Sequence, residues 1–407
     1  MLHISPRIPV LLALLYSLCA VGCGSSDPGM TDRTCVKVDT LVSGEIVIQN
    51  AGAPLWGSDE GWEVVEEMMY GSGIGDDSMF FGSIRSFDVD RHGNLFVLDG
   101  QTQEIYVLDS SGALIRTVGA RGTGPGEFEE ASAVDISENG EIWIMEMRKG
   151  QLTVLNAEGD YQRMERVNSA GWMQIPYGGG FDQVGRYNAV IRCYDGIETR
   201  LMFARFDQSL APIDTIAIPE DPVEGDFFVH NFPGGGSTSA PIPYQGAFGW
   251  LFSVNGNLWT LATTSTKAYE LKEITSGGRV VRRVTRELES IPVTSADRTK
   301  VREDLRWFTD QGGTIDLNRV PGYKPVVKQF FSDEDGNLWV LRTETSPEEA
   351  NRLFDIFSAE GYFLGEIHLP FPLIVTFKPV VQDGMLYGMT RDESGAIMIA
   401  RAQIHSN

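Results

Sequence analysis

The sequence predicts an all-β protein that folds as a six-bladed β-propeller with four antiparallel strands in each blade. Three observations predict this fold. Strand-like segments repeat with a spacing of 47 residues, x-Gly turns recur along most of the 407-residue chain, and an N-terminal strand is placed to complete the last sheet. A repeat of this length, made of short strands, indicates radially arranged sheets rather than several separate domains.

The repeat is clearest between the first two units. Gly93 aligns with Gly140 and Asp99 with Glu146, and both pairs are 47 residues apart. The segments LFVLD and EIYVLD of the first unit are short and rich in β-branched or aromatic residues, which favours strands. The glycines between such segments supply the positive φ that tight turns need.

One of these turns precedes a strand in all six units. It is present as His92-Gly93, Asn139-Gly140, Val184-Gly185, Asn255-Gly256, Asp335-Gly336 and Asp383-Gly384. A second turn, after the third strand of a unit, recurs as Ser111-Gly112, Glu158-Gly159, Gly277-Gly278 and Glu360-Gly361. The six units together are typical of a six-bladed propeller, with the third unit the most divergent.

Two insertions interrupt the repeat. Residues 221–246 are a loop rich in Gly, Pro and Ser, and residues 293–322 contain a short amphipathic helix with Thr294 or Ser295 as its expected N-cap. The apolar residues that share one face of this helix are Val301, Leu305 and Phe308.

The ring is predicted to close through its N-terminus. The sixth unit contains only three strands, and the segment WEVVEEMMYG at 62–71 is expected to supply the fourth. The predicted boundaries are 1–22 for a signal peptide, 23–38 for a flexible tether, 39–61 for an N-terminal hairpin and lead-in, and 62–407 for the propeller with its helical insertion near 293–322.

The first 23 residues indicate export. A single cation precedes the apolar run IPVLLALLYSLCAVG, which is typical of a secretory signal peptide. Ala20 and Gly22 before Cys23 resemble the lipobox of bacterial lipoproteins, although Ala20 stands where Leu is usual. Cys23 is therefore the expected lipid attachment site, which would hold the protein at an extracytoplasmic membrane surface, on the periplasmic side or the cell surface. An ordinary signal peptide cleaved nearby is the alternative.

Composition excludes some partners. The formal net charge of −23 would repel nucleic acid, so no nucleic-acid partner is expected. Cys35 and Cys193 are left after processing, and an exported protein tolerates a disulfide between them. Their spacing does not show that they pair, and two free thiols are the alternative.

The motifs GNLFVLD, EIYVLD, IRTVGARGTGPGEF and DEDGNLWVLR resemble those of the NHL-type six-bladed β-propellers, a TolB-like architecture. More narrowly, the chain is similar to bacterial lipoproteins described only as six-bladed β-propeller proteins. The resemblance extends from about residue 39 to residue 404. It implies the fold and leaves the activity open, because propellers serve in binding, scaffolding and catalysis.

The segment RGTGPGEF at 121–128 looks like a phosphate-binding loop. Such a loop needs a helix after it to supply amides and a favourable dipole. Here Glu129, Glu130 and a strand follow, and GSGIGDDSMF occupies the equivalent place one unit earlier. The loop is therefore predicted to connect two blades rather than to bind a nucleotide.

Catalytic residues are not predicted. Enzymes of related shape hold a metal near the axis, yet only His230 and His368 remain after histidines in the signal, a turn and the tail are set aside. The residues where the innermost strands begin include two cations, two aromatic residues and two hydroxyls, which do not suit a cation. No metal, cofactor or nucleophile motif is expected.

The same residues suit a ligand better. Cationic side chains could hold a carboxylate or sulfate, and aromatic side chains could stack on a sugar or an apolar ring. Plugging of the channel is the alternative interpretation. The predicted ligand face comprises Arg85, Ser132, Trp172, Tyr177, Phe248, Lys328 and Thr376.

Three hypotheses about function follow. The first is a membrane-anchored, monomeric binding or scaffold propeller that recognises a protein, a peptide or a glycan. The second is a hydrolase or lyase acting at the central mouth, and the third is a structural protein of the cell envelope without a ligand. A specific envelope partner would separate the first from the third, and a divalent metal bound at the axis would favour the second.

Overall fold

Six four-stranded antiparallel sheets follow one another along the chain, so the predicted six-bladed β-propeller is confirmed. The computed structural model describes residues 36–406 apart from 58–59, 72–80, 147, 167–178, 183, 195–198, 208, 210, 218–224, 253–254 and 347–349, and it describes no side chain at 179, 192–194, 199 or 201.

The described part of the chain begins with three strands that lie at the outer rim of the ring. They are β1 (Val36–Thr40), β2 (Ile46–Asn50) and β3 (Trp62–Tyr70).

Blade one and blade two follow, joined by a pair of short strands. Blade one contains β4 (Ile84–Val89), β5 (Leu95–Asp99), β6 (Glu104–Leu108) and β7 (Leu114–Val118). The connector contains β8 (Ala120–Arg121) and β9 (Glu127–Phe128). Blade two contains β10 (Ala133–Ile136), β11 (Ile142–Glu146), β12 (Gln151–Leu155) and β13 (Tyr161–Arg166).

Blades three and four are separated by an inserted hairpin. Blade three contains β14 (Gly179–Phe181), β15 (Tyr187–Tyr194), β16 (Thr199–Phe206) and β17 (Pro212–Ala217). The hairpin is β18 (Phe227–Asn231) and β19 (Ser237–Pro241). Blade four contains β20 (Phe248–Phe252), β21 (Leu258–Thr263), β22 (Ala268–Ile274) and β23 (Val280–Glu287).

The helical insertion leads into the last two blades. It contains β24 (Ile291–Pro292), α1 (Ser295–Asp304), α2 (Arg306–Asp310), a 3₁₀ turn (Leu317–Arg319) and β25 (Tyr323–Lys324). Blade five contains β26 (Val327–Ser332), β27 (Leu338–Arg342), β28 (Leu353–Phe357) and β29 (Phe363–His368). Blade six contains β30 (Val380–Gln382), β31 (Met385–Arg391) and β32 (Ile397–Ser406). In the described part of the chain, no helix is both long and apolar enough to cross a membrane.

The x-Gly turns have the backbone that the repeat predicts. In all six blades the glycine between the first two strands adopts a φ between +71° and +83°, where a side chain would be strained. These glycines are Gly93, Gly140, Gly185, Gly256, Gly336 and Gly384.

Each interface between neighbouring blades has its own hydrophobic core. Six separate clusters of buried residues join blades one and two, two and three, three and four, four and five, five and six, and six and one. Fully buried aromatic side chains on the second strands, such as Trp143 and Trp339, fill these interfaces. A core between the sixth and first blades shows that the ring is closed.

β3 closes the ring. It pairs antiparallel with β32 from Trp62 opposite Ser406 to Tyr70 opposite Ile399, which gives blade six its fourth strand. The prediction of an N-terminal closing strand is therefore confirmed.

The residues before β3 lie along the outer strands of the two preceding blades. β2 pairs in parallel with β23 of blade four, and β1 pairs with β2. The amides of Leu55 and Trp56 donate to the carbonyls of Phe363 and Leu364 in blade five. Residues 36–57 and 60–70 are called the belt below, because they add to the rims of blades four, five and six in turn.

The Gly-rich connector folds onto its own glutamate. β8 and β9 pair in parallel, and the Gly124 amide donates to Glu127 Oε2 over 2.8 Å. A methyl group at Gly122 would lie 2.0 Å from the same oxygen, so the carboxylate of Glu127 fills the loop. Phe128 is fully buried in the core between blades one and two. The loop lies between two blades and is occupied by its own anion.

Candidate functional site

The channel along the propeller axis has two distinct ends. Residues 85–88 of β4 lead from one end of the channel towards the other, and the innermost strands of the other blades have the same direction. We call the end where the innermost strands begin the upper end, and the end where they finish the lower end. A strand of five or six residues separates the two ends by about 17 to 20 Å.

The two predicted basic residues lie at the upper end in equivalent bulges. Arg85 has no partner in the pairing of β4 with β5, and Lys328 has none in the pairing of β26 with β27. A bulge redirects the side chain of its extra residue. Lys328 forms an ion pair with Glu344 and donates to Asn351 Oδ1 over 3.1 Å, so its charge is partly neutralised within its own blade.

The other predicted ligand-face residues are spread over several blades. Ser132 precedes β10, Phe248 begins β20 and is half-buried, and Thr376 is exposed ahead of β30. Trp172 and Tyr177 lie outside the described residues. The predicted ligand face therefore remains a prediction.

The predicted cysteine sites fall mostly outside the described part of the chain. Cys23 and Cys35 precede its first residue, and Cys193 lies in β15 without a described side chain. Lipid attachment at Cys23 and a Cys35–Cys193 disulfide therefore stay predictions.

The two insertions form one unit at the upper end, because both lead directly into the start of an innermost strand. We call residues 225–245 and 291–324 the insertion module. Its core contains Phe228 of the hairpin, Val301 and Phe308 of the helices and Val320 after them, all buried. Arg319 holds the two parts together by an ion pair of 2.5 Å with Asp226.

The insertion module also displays apolar side chains to solvent. β18 buries Phe228 on one side and exposes Phe227 and Val229 on the other, because no described element packs on that side of the two-stranded hairpin. The exposed fractions of its large apolar residues range from 36 to 58%. These residues are Phe227, Val229, Phe232, Trp307 and Tyr323.

The lower end contains a cavity of about 260 Å³ lined by residues from all six blades. Its apolar wall includes Phe181, Leu251 and Phe331. Its polar wall includes two aspartates on neighbouring blades, Asp88 and Asp135. This is the most chemically distinctive group of side chains in the described channel.

Asp88 and Asp135 occupy equivalent positions. Asp88 faces Phe96 across its sheet as Asp135 faces Trp143, and the two aspartates are 47 residues apart in sequence. Asp88 Oδ2 accepts a hydrogen bond of 2.7 Å from the Ile136 amide at the free edge of β10. A carboxyl of blade one thus satisfies the unpaired edge of blade two.

Asp135 is held by a tyrosine. The hydroxyl of Tyr187, which is buried in blade three, donates to Asp135 Oδ2 over 3.1 Å. A methyl group at Gly180 would lie 2.9 Å from Asp135 Oδ1 and 3.7 Å from Lys378 Nζ. Glycine at this position leaves the space into which both charged groups project.

The surroundings shift the pKa of both carboxyls. Burial, and then the charge of Asp135, raise the pKa of Asp88 to about 7. Burial also raises the pKa of Asp135, while the ammonium of Lys378 and the hydrogen bond from Tyr187 oppose the rise. Burial raises the pKa of Tyr187 well above its usual value, so the hydroxyl stays a donor.

Lys378 reaches the cavity because the innermost strand of blade six is broken. The amide of Phe377 donates to the Ile374 carbonyl in a turn, and regular pairing resumes only at Val380. Lys378 is exposed and, among the described residues, forms no direct ion pair. Water therefore reaches this end of the channel.

Other buried carboxylates of the molecule serve the frame. Asp99 accepts from the amides of Gly82 and Ser83 and Glu146 accepts from that of Glu129, so both tie the loop before an innermost strand to its blade. Asp355 lies sealed between blades four and five. It accepts from the Tyr269 hydroxyl over 2.6 Å and pairs with Arg286 at 3.0 Å. None of these three carboxylates lines the cavity.

Sequence analysis did not single out Asp88 and Asp135. The signal was present, because the 47-residue register places one aspartate on the other. The corresponding residues of the other blades are Gly180, Leu251, Phe331 and Val380. Two carboxyls at one level of the ring, where the other blades carry a glycine and three apolar residues, would have marked the lower end. Comparing only the residues at the start of the strands missed them.

Within the described ranges, no group of three or more His, Cys, Asp or Glu side chains is arranged to hold a metal ion. The side chains that line the cavity instead offer a carboxyl pair, a lysine, a tyrosine hydroxyl behind one carboxyl, and an apolar wall.

The fold and the channel define the chain as a six-bladed β-propeller. Its residues 76–177 match the model of the family DUF5128, which is described as a 6-bladed beta-propeller. The match covers blade one, blade two and the Gly-rich connector between them. No curated protein matches the chain.

Solved structures of similar fold are distant in sequence. A Bacteroides fragilis protein described as exported is 12% identical, covering 88% of this chain and 99% of that one, with a TM-score of 0.46. A DUF4221 family member from Bacteroides vulgatus is 13% identical, covering 86% and 100%, with a TM-score of 0.48. Virginiamycin B lyase from Staphylococcus aureus is 11% identical, covering 84% and 99%, with a TM-score of 0.40. Likeness at this level carries no conclusion about the function of this chain.

Proposed function

We propose that this protein is an extracytoplasmic, lipid-anchored propeller that binds a protein partner through its insertion module. The observation that carries the proposal is the exposure of Phe227, Val229, Phe232, Trp307 and Tyr323 on that module. Large apolar and aromatic side chains on an otherwise acidic surface are typical of protein interfaces. The predicted signal peptide at residues 1–22, followed directly by Cys23, supports export and anchoring.

The shape of the module supports a protein rather than a glycan. Phe227 and Val229 present an aromatic and an aliphatic side chain side by side on one strand. Aliphatic groups gain nothing from stacking on a sugar, but they lose contact with water when another protein covers them. The compact core beneath them keeps the surface preformed, which lowers the entropic cost of binding.

Site-specific photo-crosslinking in the native cell tests the partner. A photoreactive amino acid at Trp307 should yield a discrete protein adduct, and Phe227→Ser in the same chain should remove most of it. The matched control is the same probe at Ile213, which is similarly exposed, at 48%, on blade three. Identical adducts at both positions, or none at Trp307, would contradict the proposal. Binding of a glycan that is lost with Trp307→Ala would replace the protein partner by a glycan.

The anchor is tested separately. Cys23→Ser should move the protein from the membrane fraction to the soluble fraction without changing its fold, because the lipid is attached to this thiol. Metabolic labelling with a fatty acid should label the wild-type chain and leave the variant unlabelled. Membrane association that persists in the variant would rule out this anchor while leaving the partner proposal intact.

A hydrolase or lyase remains the second candidate, and the carboxyl pair at the lower end favours it. A carboxyl with a pKa near 7 is suited to donate or accept a proton at neutral pH. If this is the function, Asp88→Asn should abolish turnover in a screen of esters, lactones and neutral glycosides. Turnover unaffected by the substitution would exclude this site as the catalytic one.

A further inference from the structure

We infer that the cavity at the lower end binds a small organic ammonium ion, held by Asp88 and Asp135 with its apolar part against the wall formed by Phe181, Leu251 and Phe331. The inference does not depend on the insertion module, which lies at the other end of the channel.

The charges lining the cavity favour a cation. The lining contains five carboxyl residues and, among its described residues, one cationic side chain, Lys378. Two of the carboxyls have their own tasks, since Asp182 pairs with Arg186 at 2.7 Å and Asp333 accepts from the Asn337 amide group. Asp88 and Asp135 also face the cavity, and neighbouring groups neutralise their negative charges less completely. An anionic ligand would be repelled by both.

A buried acceptor without a donor points to the same chemistry. Asn188 lines the cavity and is 2% exposed. Its amide nitrogen donates to the carbonyls of Gly180 and Arg186, both at 3.2 Å, whereas its Oδ1 has no partner. A buried acceptor left unpaired is costly, and a ligand that donates hydrogen bonds would relieve that cost. An ammonium group brings three donors and no acceptor.

The walls and the size indicate an organic ion. Phe181, Leu251 and Phe331 form an apolar surface opposite the carboxyls, which suits a hydrocarbon or aromatic body attached to the ammonium group. A volume of about 260 Å³ is at the lower limit of small-molecule pockets. A ligand with one charged group and one ring fits this space.

Isothermal titration calorimetry on the full mature chain in detergent tests the inference with three probes of one shape. Benzylamine should bind with one site per chain, while benzyl alcohol and benzoate should not bind measurably. Asp135→Asn should weaken benzylamine at least about tenfold, the loss expected for one charge-assisted contact. Asp310→Asn, an exposed aspartate on α2 outside the cavity, is the matched control and should change nothing.

Two further measurements keep the test decisive if Asp135→Asn does not fold. Lys378→Met removes an exposed cation that competes with the ligand, so benzylamine should bind more tightly. Affinity should also rise between pH 6 and pH 8, by up to about tenfold, as Asp88 loses its proton. The groups facing Asp88 are Asp135, Lys378 and Tyr187, together with the amides of Ile136 and Val89, and Asp88→Asn should remove the rise in affinity with pH.

Several results would overturn the inference. They are equal binding of benzyl alcohol and benzylamine, tighter binding of benzoate, unchanged affinity in Asp135→Asn, or weaker binding of benzylamine in Lys378→Met. Absence of benzylamine binding at millimolar concentration, or binding of calcium ion alone, would also reject it.

Discussion

At the scale of single residues, the molecule uses a hydrogen bond from a tyrosine hydroxyl to an aspartate for two purposes. Tyr187 donates to Asp135 at the edge of a cavity, and Tyr269 donates to Asp355 between two sheets. Only Asp135 keeps contact with the cavity, while Asp355 is fully buried. Access to solvent, rather than residue type, separates a group that can meet a ligand from one that holds the frame.

The Asp88 carboxyl should make stability fall with rising pH. Its pKa is about 7 in the folded chain, above the ordinary value of 3.8, so the folded state binds the proton more tightly than the unfolded state. The contribution of Asp88 to stability is therefore fully present below about pH 4 and is lost as the pH rises towards 7. Asp88→Asn should remove this loss, on the order of 2 kcal/mol, since water reaches the carboxyl. Urea unfolding of both chains at pH 4.5 and pH 8 measures it.

An equal pH dependence in the wild type and in Asp88→Asn would contradict this assignment. Asp310→Asn is again the control, because an exposed carboxylate should not change the slope.

Tyr269→Phe should destabilise the chain by about 1 to 2 kcal/mol. The substitution keeps the ring in the core and removes the donor to Asp355, which then keeps only its arginine partners in a fully buried site. Tyr161→Phe, on an exposed ring in blade two, is the control and should change stability little. Chemical denaturation of the three chains measures the difference, and equal midpoints would show that the hydroxyl contributes nothing.

At the scale of elements, the sequence predicted strands and turns better than insertions. The six x-Gly turns are present because positive φ is a local demand that glycine meets almost alone. The helix at residues 293–322 could also be predicted, because Thr294 caps it and Val301 faces the core. Its packing on the β18–β19 hairpin, some sixty residues earlier, has no local pattern that would reveal it.

The capping box of α1 should control the order of the insertion module. The Thr294 hydroxyl accepts from the Asp297 amide, and the Asp297 carboxylate accepts from the Thr294 amide over 2.8 Å. Thr294→Ala should reduce the local stability of α1 by about 1 kcal/mol, which lowers the hydrogen-exchange protection of the helix about fivefold. Thr299→Ala, at an exposed position in the same helix, is the matched control. Unchanged protection in Thr294→Ala would show that packing alone holds the helix.

At the scale of the whole molecule, stability depends on closure. Each blade contributes half of two interface cores, so an open ring would expose the faces of blades one and six. The belt adds a strand to blade six and extends blade four, and the sequence predicted the first of these but not the second. Parallel pairing of β2 with β23 joins segments more than 230 residues apart, for which the repeat gives no register.

Removing residues 397–406 should open the ring. β3 would lose its partner and the core between blades six and one would lose Ile399. The melting temperature should fall by at least about 10 °C, and protease should cleave within 62–70. Removing only 405–407 keeps the pairing of Val64 with Ile404 and serves as the control. A shortened chain with an unchanged melting temperature would show that closure is not needed.

The belt also determines how the propeller would respond to force. A pull applied at Val36 would load the β1–β2 hairpin first, and its five residue pairs lie antiparallel, so they would open one at a time from the Val36–Asn50 end. Next in line are the parallel pairs of β2 with β23, then the two amide contacts on blade five, and only afterwards β3. The hairpin would therefore unfold first and absorb work at low tension, while β3 stays paired and the ring remains closed.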